Sequence, residues 1–155
     1  MRVEYIKPFV EAAYVILKEV LQTEEIKRGK LSMASSPMQT LGVAAVIGIA
    51  GQVEGRVIYD MTKETAMKIA SAMNFEELTE FDELVKATIA ELANMITGRA
   101  VSALNNAGYV FDLTPPNMFT GDNMEVSNLN LETLIIPLET PYGTVNVNVA
   151  LREKK

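Results

Sequence analysis

An alternating pattern near the end of the chain predicts its local structure. In "GTVNVNVAL" the apolar residues alternate with Asn146, Asn148 and Ala150. Successive side chains of a strand point to opposite faces of a sheet, so we predict a strand with one buried face and with the asparagines facing solvent. The preceding stretch "LETLIIPLET" is predicted to be its hairpin partner. Pro137 lacks a backbone donor, so that partner is expected to be an edge strand or bulged.

A second hairpin is predicted in "TLGVAAVIGIAGQVEGRVIYDM", where Gly55 suits a bulge or a close backbone approach. The N-terminal "YIKPFVEAAYVILKEVLQ" has apolar residues at helical spacing, with Pro8 in an opening turn. Thr62 is the predicted N-cap of a short helix, "TKETAMKIASAMN". A long helix begins near residue 78 or 82 and ends near Asn105 and Asn106. After it, "YVFDLTPPNMFTGDN" is predicted to be a short strand and a loop, because its two prolines bar a regular ladder.

The predicted order is helix, loop, hairpin, helix, helix, loop, hairpin. It indicates an α/β fold of the α+β type, with antiparallel hairpins forming a sheet packed by two or three helices. The two halves look alike: sliding "FVEAAYVILKEV" onto "IAELANMITGRA" places Glu11 over Glu91 and Tyr14 over Asn94. A duplicated unit and chance similarity between two amphipathic helices both explain this match. No linker separates the halves, so we predict a single domain over residues 1–155.

Composition excludes several classes of function. The 155 residues include no cysteine and no histidine, so a thiolate nucleophile, a Cys-based zinc site and a Ser–His–Asp triad are excluded. The net charge of −6 argues against nucleic acid or anionic lipid as partners. The longest apolar run, from Leu41, is about half the roughly 20 residues that a membrane-spanning helix needs. Charged residues interrupt the N-terminal apolar stretch, which argues against a signal peptide. We therefore predict a cytoplasmic protein without a membrane or nucleic-acid partner.

The long helix has two predicted faces. At about 100° per residue, a broad apolar face is expected to be buried. That face comprises Val85, Ile89, Leu92, Ala93, Ile96, Ala100 and Ala103. The opposite stripe holds Leu84, Ala87, Thr88, Glu91, Asn94, Met95, Gly98 and Ser102.

Glu91 and Asn94 are neighbours on that outer stripe, since they are spaced i and i+3. An ordinary solvated face is one interpretation. Three details favour a docking surface instead: Asn and Gly are poor helix-interior residues, and the stripe lacks Lys and Arg. A carboxamide can both donate and accept hydrogen bonds, so Asn94 is suited to orienting a water. Orienting a water matters most in phosphoryl transfer. Glu91 is suited to pairing with a cation on a partner.

The residues around this pair resemble a known family. "AELANMITGRA" is similar to the Glu-x-x-Asn-Met-x-x-Gly helix of the CheC/CheX/FliY phosphatase family of bacterial chemotaxis. "VIGIAGQVEGRVIYDMTKETAMKIASAM" is similar to that family's first hairpin and the helix after it, and "LTPPNMFTGDN" to its Pro-Pro loop. The resemblance runs from about residue 41 to the C-terminus and is strongest to the single-site CheX branch, because Tyr14 stands where two-site relatives have a second amide.

The resemblance implies a CheC-like, pseudo-duplicated fold and a phosphoaspartate phosphatase acting on a phosphorylated CheY-type receiver domain. Glu91 and Asn94 would then be the catalytic pair, with Asn94 orienting water and Glu91 pairing with the receiver's lysine. On the spacing argument given above for the outer stripe, docking would use Ala87, Thr88, Met95, Gly98 and Ser102.

The family's pattern also bears on cofactors and assembly. The chain would bind no metal of its own, since Mg²⁺ would come with the receiver, and it would form a homodimer through sheet edges. A non-catalytic module that binds a receiver domain or a flagellar-switch component is the alternative. A structural dimer, in which Asn94 only hydrogen-bonds a neighbouring loop, is a third.

Overall fold

The computed structural model describes residues 3–35, 37–127 and 131–153. Within these ranges the chain forms three helices and ten strands. The helices are α1 (Val3–Leu21), α2 (Lys63–Asn74) and α3 (Glu83–Asn106). The strands of the first half are β1 (Lys27–Arg28), β2 (Ser32–Ala34), β3 (Met38–Gln39), β4 (Val43–Gly51) and β5 (Val53–Met61). Those of the second half are β6 (Phe111–Leu113), β7 (Asn117–Thr120), β8 (Glu125–Val126), β9 (Thr133–Thr140) and β10 (Gly143–Glu153).

The main sheet is built around the two predicted hairpins, β4–β5 and β9–β10. Its order is β1-β9-β10-β5-β4-β6, with β2 also pairing with β9 and β7 also pairing with β4. The pairs are antiparallel, and the hairpins meet where β5 lies beside β10, with Asp60 opposite Asn146. β3 and β8 pair separately as a small second sheet. The predicted fold class is confirmed.

The connections exchange strands between the two halves of the chain. β1 and β2 follow α1 but pair with β9 of the second half. Correspondingly, β6 and β7 follow α3 but pair with β4 of the first half. This reciprocal arrangement about the β5–β10 seam supports a duplicated unit over chance similarity of two helices.

The strand carrying Pro137 is not an edge strand, so that part of the prediction is wrong. β1 and β2 pair with the outer side of β9, one on each side of the proline. At the interruption, the backbone N–H of Gly29 donates to the Pro137 carbonyl at 2.8 Å. β1 and β2 have two and three residues, too few for a periodic pattern to reveal them.

The Pro-Pro loop also differs from its prediction. β6 is the expected short strand, but the chain pairs again with β4 as β7 immediately after Pro116. The two prolines therefore separate two short strands.

The helices cover one face of the main sheet, and the core lies between them. Thr62 caps α2 as predicted, with its hydroxyl accepting from the Thr65 backbone N–H at 3.1 Å. On the other face, Met38, Val46 and Ile58 belong to a smaller apolar cluster. Asn148 lies on that face and is 1% exposed, so its predicted solvent exposure is wrong. Among the described helices, none has the length and apolarity needed to cross a membrane.

Candidate active site on the long helix

α3 presents the predicted outer stripe, and its start is fixed locally. Asp82 is the N-cap, and its Oδ1 accepts from the Val85 backbone N–H at 3.2 Å. The acidic Glu83 follows in the first turn, where the helix dipole favours negative charge. The predicted start near residue 82 and end near Asn105 and Asn106 are confirmed.

Glu91 and Asn94 both lie exposed on α3. Within the described parts of the chain, neither side chain makes a hydrogen bond or an ion pair. Their predicted outward orientation is confirmed. An acid and an amide side by side, both with unused hydrogen-bonding capacity, are available to another molecule.

The surroundings of the pair agree with the prediction except at one position. Ala87 and Ser102 are exposed, while Met95 and Gly98 are half-buried. Thr88 is buried, so its assignment to an outward surface is wrong. The reason is the neighbouring α2: Asn74 Nδ2 donates to Thr88 Oγ1 at 2.9 Å.

Gly98 faces open space in the part of the chain that the structure describes. A Cβ built on it would meet no atom within 4 Å among the described residues. Glycine in a helix interior costs about 1 kcal/mol relative to alanine. Since no contact with another described residue explains this cost, the low surface beside Asn94 is explained better by contact with a partner.

The buried face of α3 matches the prediction over most of its length. Ala103 is the exception: it is exposed, whereas Val101 and Leu104 are buried. Towards its end, α3 is tied to β6, since Asn105 Oδ1 accepts from the Phe111 backbone N–H at 3.3 Å. The buried face is therefore rotated in the last turns relative to a straight apolar stripe.

Besides the bond from Asn105 to β6, sequence reasoning missed two polar attachments of α3. Tyr59 Oη lies 2.6 Å from Thr97 Oγ1, and both side chains are buried. Asn74 makes the bond to Thr88 described above. Thr88 was assigned to the outer stripe and Thr97 to neither face, so no pattern in the sequence indicated these two bonds.

Metal ligation finds no support in the side chains that the structure describes. Over residues 3–35, 37–127 and 131–153, no group of three or more Asp or Glu side chains is placed to hold a metal ion. The expectation that Mg²⁺ comes with the partner stays a prediction.

Comparison with known proteins identifies the family. A family model described as "Chemotaxis phosphatase CheX" matches residues 43–139, a range that includes all of α3. The chain belongs to the CheX family. It is 33% identical over 132 residues to the CheY-P phosphatase CheX of Thermotoga maritima, covering 84% of each chain.

Solved structures of CheX and CheC-like proteins share the fold of this CheX-family chain. One is a chain of the CheX–CheY–BeF3–Mg²⁺ complex from Borrelia burgdorferi, with 42% identity and a TM-score of 0.86. That match covers 98% of this chain and 100% of the other. Another is a CheC-like superfamily protein from Shewanella sp. PV-4, with 28% identity, a TM-score of 0.87 and coverage of 98% and 99%.

Proposed function

We propose that this chain hydrolyses the aspartyl phosphate of a phosphorylated CheY-type receiver domain. The observation that carries the proposal is the exposed Glu91–Asn94 pair, which has no hydrogen-bond or ion-pair partner among the described residues. The pair lies on a helix whose small residues leave room for another protein. Two relatives support the choice of substrate. One is a CheY-P phosphatase, and the other was solved in a complex with CheY.

In this reaction a water oxygen forms a bond to phosphorus while the bond from phosphorus to the aspartate oxygen breaks. The products are inorganic phosphate and the free carboxylate of the receiver. The transition state is loose, so catalysis depends mainly on geometry. Asn94 Oδ1 accepts a hydrogen bond from the water and holds it in line with the breaking bond. The Mg²⁺ belongs to the receiver.

Glu91 has an anchoring role in this proposal. Its carboxylate pairs with the receiver's lysine and sets the distance between the two proteins. Ala87, Gly98 and Ser102 line the contact because their small side chains let the receiver approach. Met95 is half-buried and packs against the core, so it supports this surface from below.

The proposal is tested by measuring phosphate release from phosphorylated CheY in the presence of the purified chain. We expect Asn94→Ala to lower kcat by about 100-fold or more, as for the loss of one preorganised polar group in an active site. Glu91→Ala is expected to raise KM more than it lowers kcat, because the ion pair forms on binding.

Matched control variants are available on the chain's own helices. Asn106→Ala removes an exposed amide from the end of α3, and Glu11→Ala removes an exposed acid from α1. Both are expected to keep wild-type kinetics. If the wild-type chain does not accelerate phosphate release, the proposed phosphatase activity is refuted. Tight receiver binding without release would favour a non-catalytic binding module.

Two further expectations remain proposals. A homodimer is expected from the family resemblance, and sedimentation of the purified chain would measure it. The cytoplasm is the location proposed for the chain, since its proposed substrate is a response regulator.

A further inference from the structure

A buried hydrogen bond joins α3 to the centre of the sheet close to the proposed catalytic pair. Tyr59 lies in β5 and is 1% exposed, while Thr97 in α3 is fully buried. Tyr59 Oη and Thr97 Oγ1 are 2.6 Å apart, a normal length for a bond between hydroxyls. Burial raises the pKa of the Tyr59 phenol, so the group stays neutral and able to donate at any ordinary pH.

A second hydrogen bond joins α3 to α2. Asn74 Nδ2 donates to Thr88 Oγ1 at 2.9 Å and to the Ala70 carbonyl at 2.8 Å. The Thr88 hydroxyl in turn donates to the Leu84 carbonyl at 2.7 Å. Asn74 is the last residue of α2, so this bond ties the end of one helix to the side of the next.

The two threonines bracket the proposed catalytic pair in a particular way. Thr88 precedes Glu91 by three residues, and Thr97 follows Asn94 by three. At about 100° and 1.5 Å per residue, the threonines lie about 180° apart around the helix and about 13 Å apart along it. Glu91 and Asn94 lie between them in both directions. The two bonds therefore hold opposite flanks of the outer stripe.

Apolar packing alone specifies the rotation of α3 weakly. Burial of apolar surface is non-directional, and the buried face of α3 includes the small residues Ala93 and Ala100. Hydrogen bonds are directional, and in a buried site they are costly to break. One of the two bonds, Tyr59–Thr97, is buried and the other, Asn74–Thr88, is part-buried. Lying on opposite flanks, they fix both the rotation of the helix and its position along its own axis.

We infer that Tyr59 and Asn74 are positioning residues, which act through Thr97 and Thr88 to set where Asn94 holds its water. This inference rests on the proposed phosphatase function. A displacement of about 1 Å in a catalytic group can cost about 100-fold in rate, so a small rotation of α3 is sufficient to matter.

The test uses a pair of substitutions that removes the bond without leaving an unsatisfied group. In Tyr59→Phe/Thr97→Val both polar partners become apolar groups of similar shape, which is nearly neutral for stability. We expect kcat for phosphate release to fall by about 10-fold or more while KM changes less than about two-fold. Thr97→Ser keeps a hydroxyl and is expected to retain kcat. Asn74→Leu/Thr88→Val is expected to act in the same direction.

Two further measurements distinguish a positioning role of the Tyr59–Thr97 bond from a purely structural one. In the Asn94→Ala background, Tyr59→Phe/Thr97→Val is expected to cause no additional loss, because the water-orienting group is already absent. Thr40→Val is the matched control. It removes a buried hydroxyl that has no hydrogen-bond partner among the described residues, and it is expected to leave kcat unchanged.

The outcomes distinguish this inference from the proposed function. Wild-type kcat in Tyr59→Phe/Thr97→Val, beside an active wild-type chain, overturns the positioning role alone. A wild-type chain that releases no phosphate overturns the proposed function and the positioning role with it. A crystal structure of the double variant gives an independent answer: we expect α3 to be displaced relative to β5, and an unmoved Asn94 contradicts the inference.

Discussion

Asp60 is a buried acid that the proposed reaction does not use. It lies near the end of β5 and is 2% exposed. Its two carboxylate oxygens accept from the Leu41 backbone N–H at 2.9 and 3.1 Å. Burial raises the pKa of Asp60 to about 6, and the backbone N–H groups of Leu41 and Met61 offset part of that effect. The carboxylate therefore carries its charge at neutral pH at a cost to stability.

The sign of this effect gives a prediction for Asp60→Asn. The native state holds the proton more tightly than the unfolded chain does, so the Asp60 contribution to stability falls as pH rises from about 4 to about 6. The size is about 3 kcal/mol, at about 1.4 kcal/mol per pKa unit. We expect Asp60→Asn to remove this loss and to stabilise the chain at pH 7.5. Urea unfolding of wild type and variant between pH 4 and 8 measures it.

The control for Asp60→Asn is Asp112→Asn, which neutralises an exposed acid in β6. The difference in free energy of unfolding between Asp112→Asn and wild type is expected not to increase as pH rises over the same range. A constant difference between wild type and Asp60→Asn at all these pH values would contradict the prediction.

Among the secondary-structure elements, α3 has two roles on opposite faces. Its buried face packs against the sheet and α1, and its exposed stripe carries the proposed catalytic pair. Hydrophobic periodicity identifies the first face because burial recurs with the helical repeat. The second face is recognised from its departures from ordinary helix composition, above all Asn94 and Gly98.

Gly98 provides the prediction at this scale. Since a Cβ meets nothing in the described chain, Gly98→Ala is expected to stabilise the free protein by about 1 kcal/mol through helix propensity alone. Gly98→Gln is expected to keep the fold but to weaken binding to the phosphorylated receiver, because its side chain occupies the contact surface. Denaturation measures the first effect and titration calorimetry the second. Undiminished receiver affinity in Gly98→Gln would contradict close approach at this position.

For the whole molecule, the seam between β5 and β10 joins the two halves. Two cross-strand pairs lie side by side on the helix-covered face of this seam and belong to one apolar core: Val57 with Val149, and Tyr59 with Val147. Near the far end of the seam, Gly55 has a φ of 145°, and a Cβ built there would collide with the Ala150 carbonyl oxygen of β10. The expected close backbone approach at Gly55 is confirmed.

Gly55→Ala tests the importance of the seam. The added methyl group must push β10 away from β5, and the backbone conformation is unfavourable for any L-residue with a side chain. We expect a loss of about 3 kcal/mol or more in the free energy of unfolding, among the large single-residue effects. Gly98→Ala, which is expected to change stability in the opposite direction, is the matched comparison. An unfolding midpoint equal to that of wild type would show that the strands separate without cost.

Local patterns in the sequence were sufficient for the long elements and for the orientation of the proposed catalytic pair. Periodicity and capping residues within a short stretch of chain predicted the helices and the two hairpins. They also predicted the Thr62 cap and the outward orientation of Glu91 and Asn94. Such patterns depend on the backbone geometry of one element, which neighbouring residues determine.

The tertiary structure decided which of these surfaces stay accessible. Thr88 lies on the predicted outer stripe but is buried because α2 packs beside it, and Asn148 is buried because the sheet's second face is covered. β1 and β2 are strands only because β9 offers them a partner. Burial and strand pairing depend on contacts between residues far apart in the chain. The periodicity of a short stretch of sequence does not specify which distant segment will pack or pair with it.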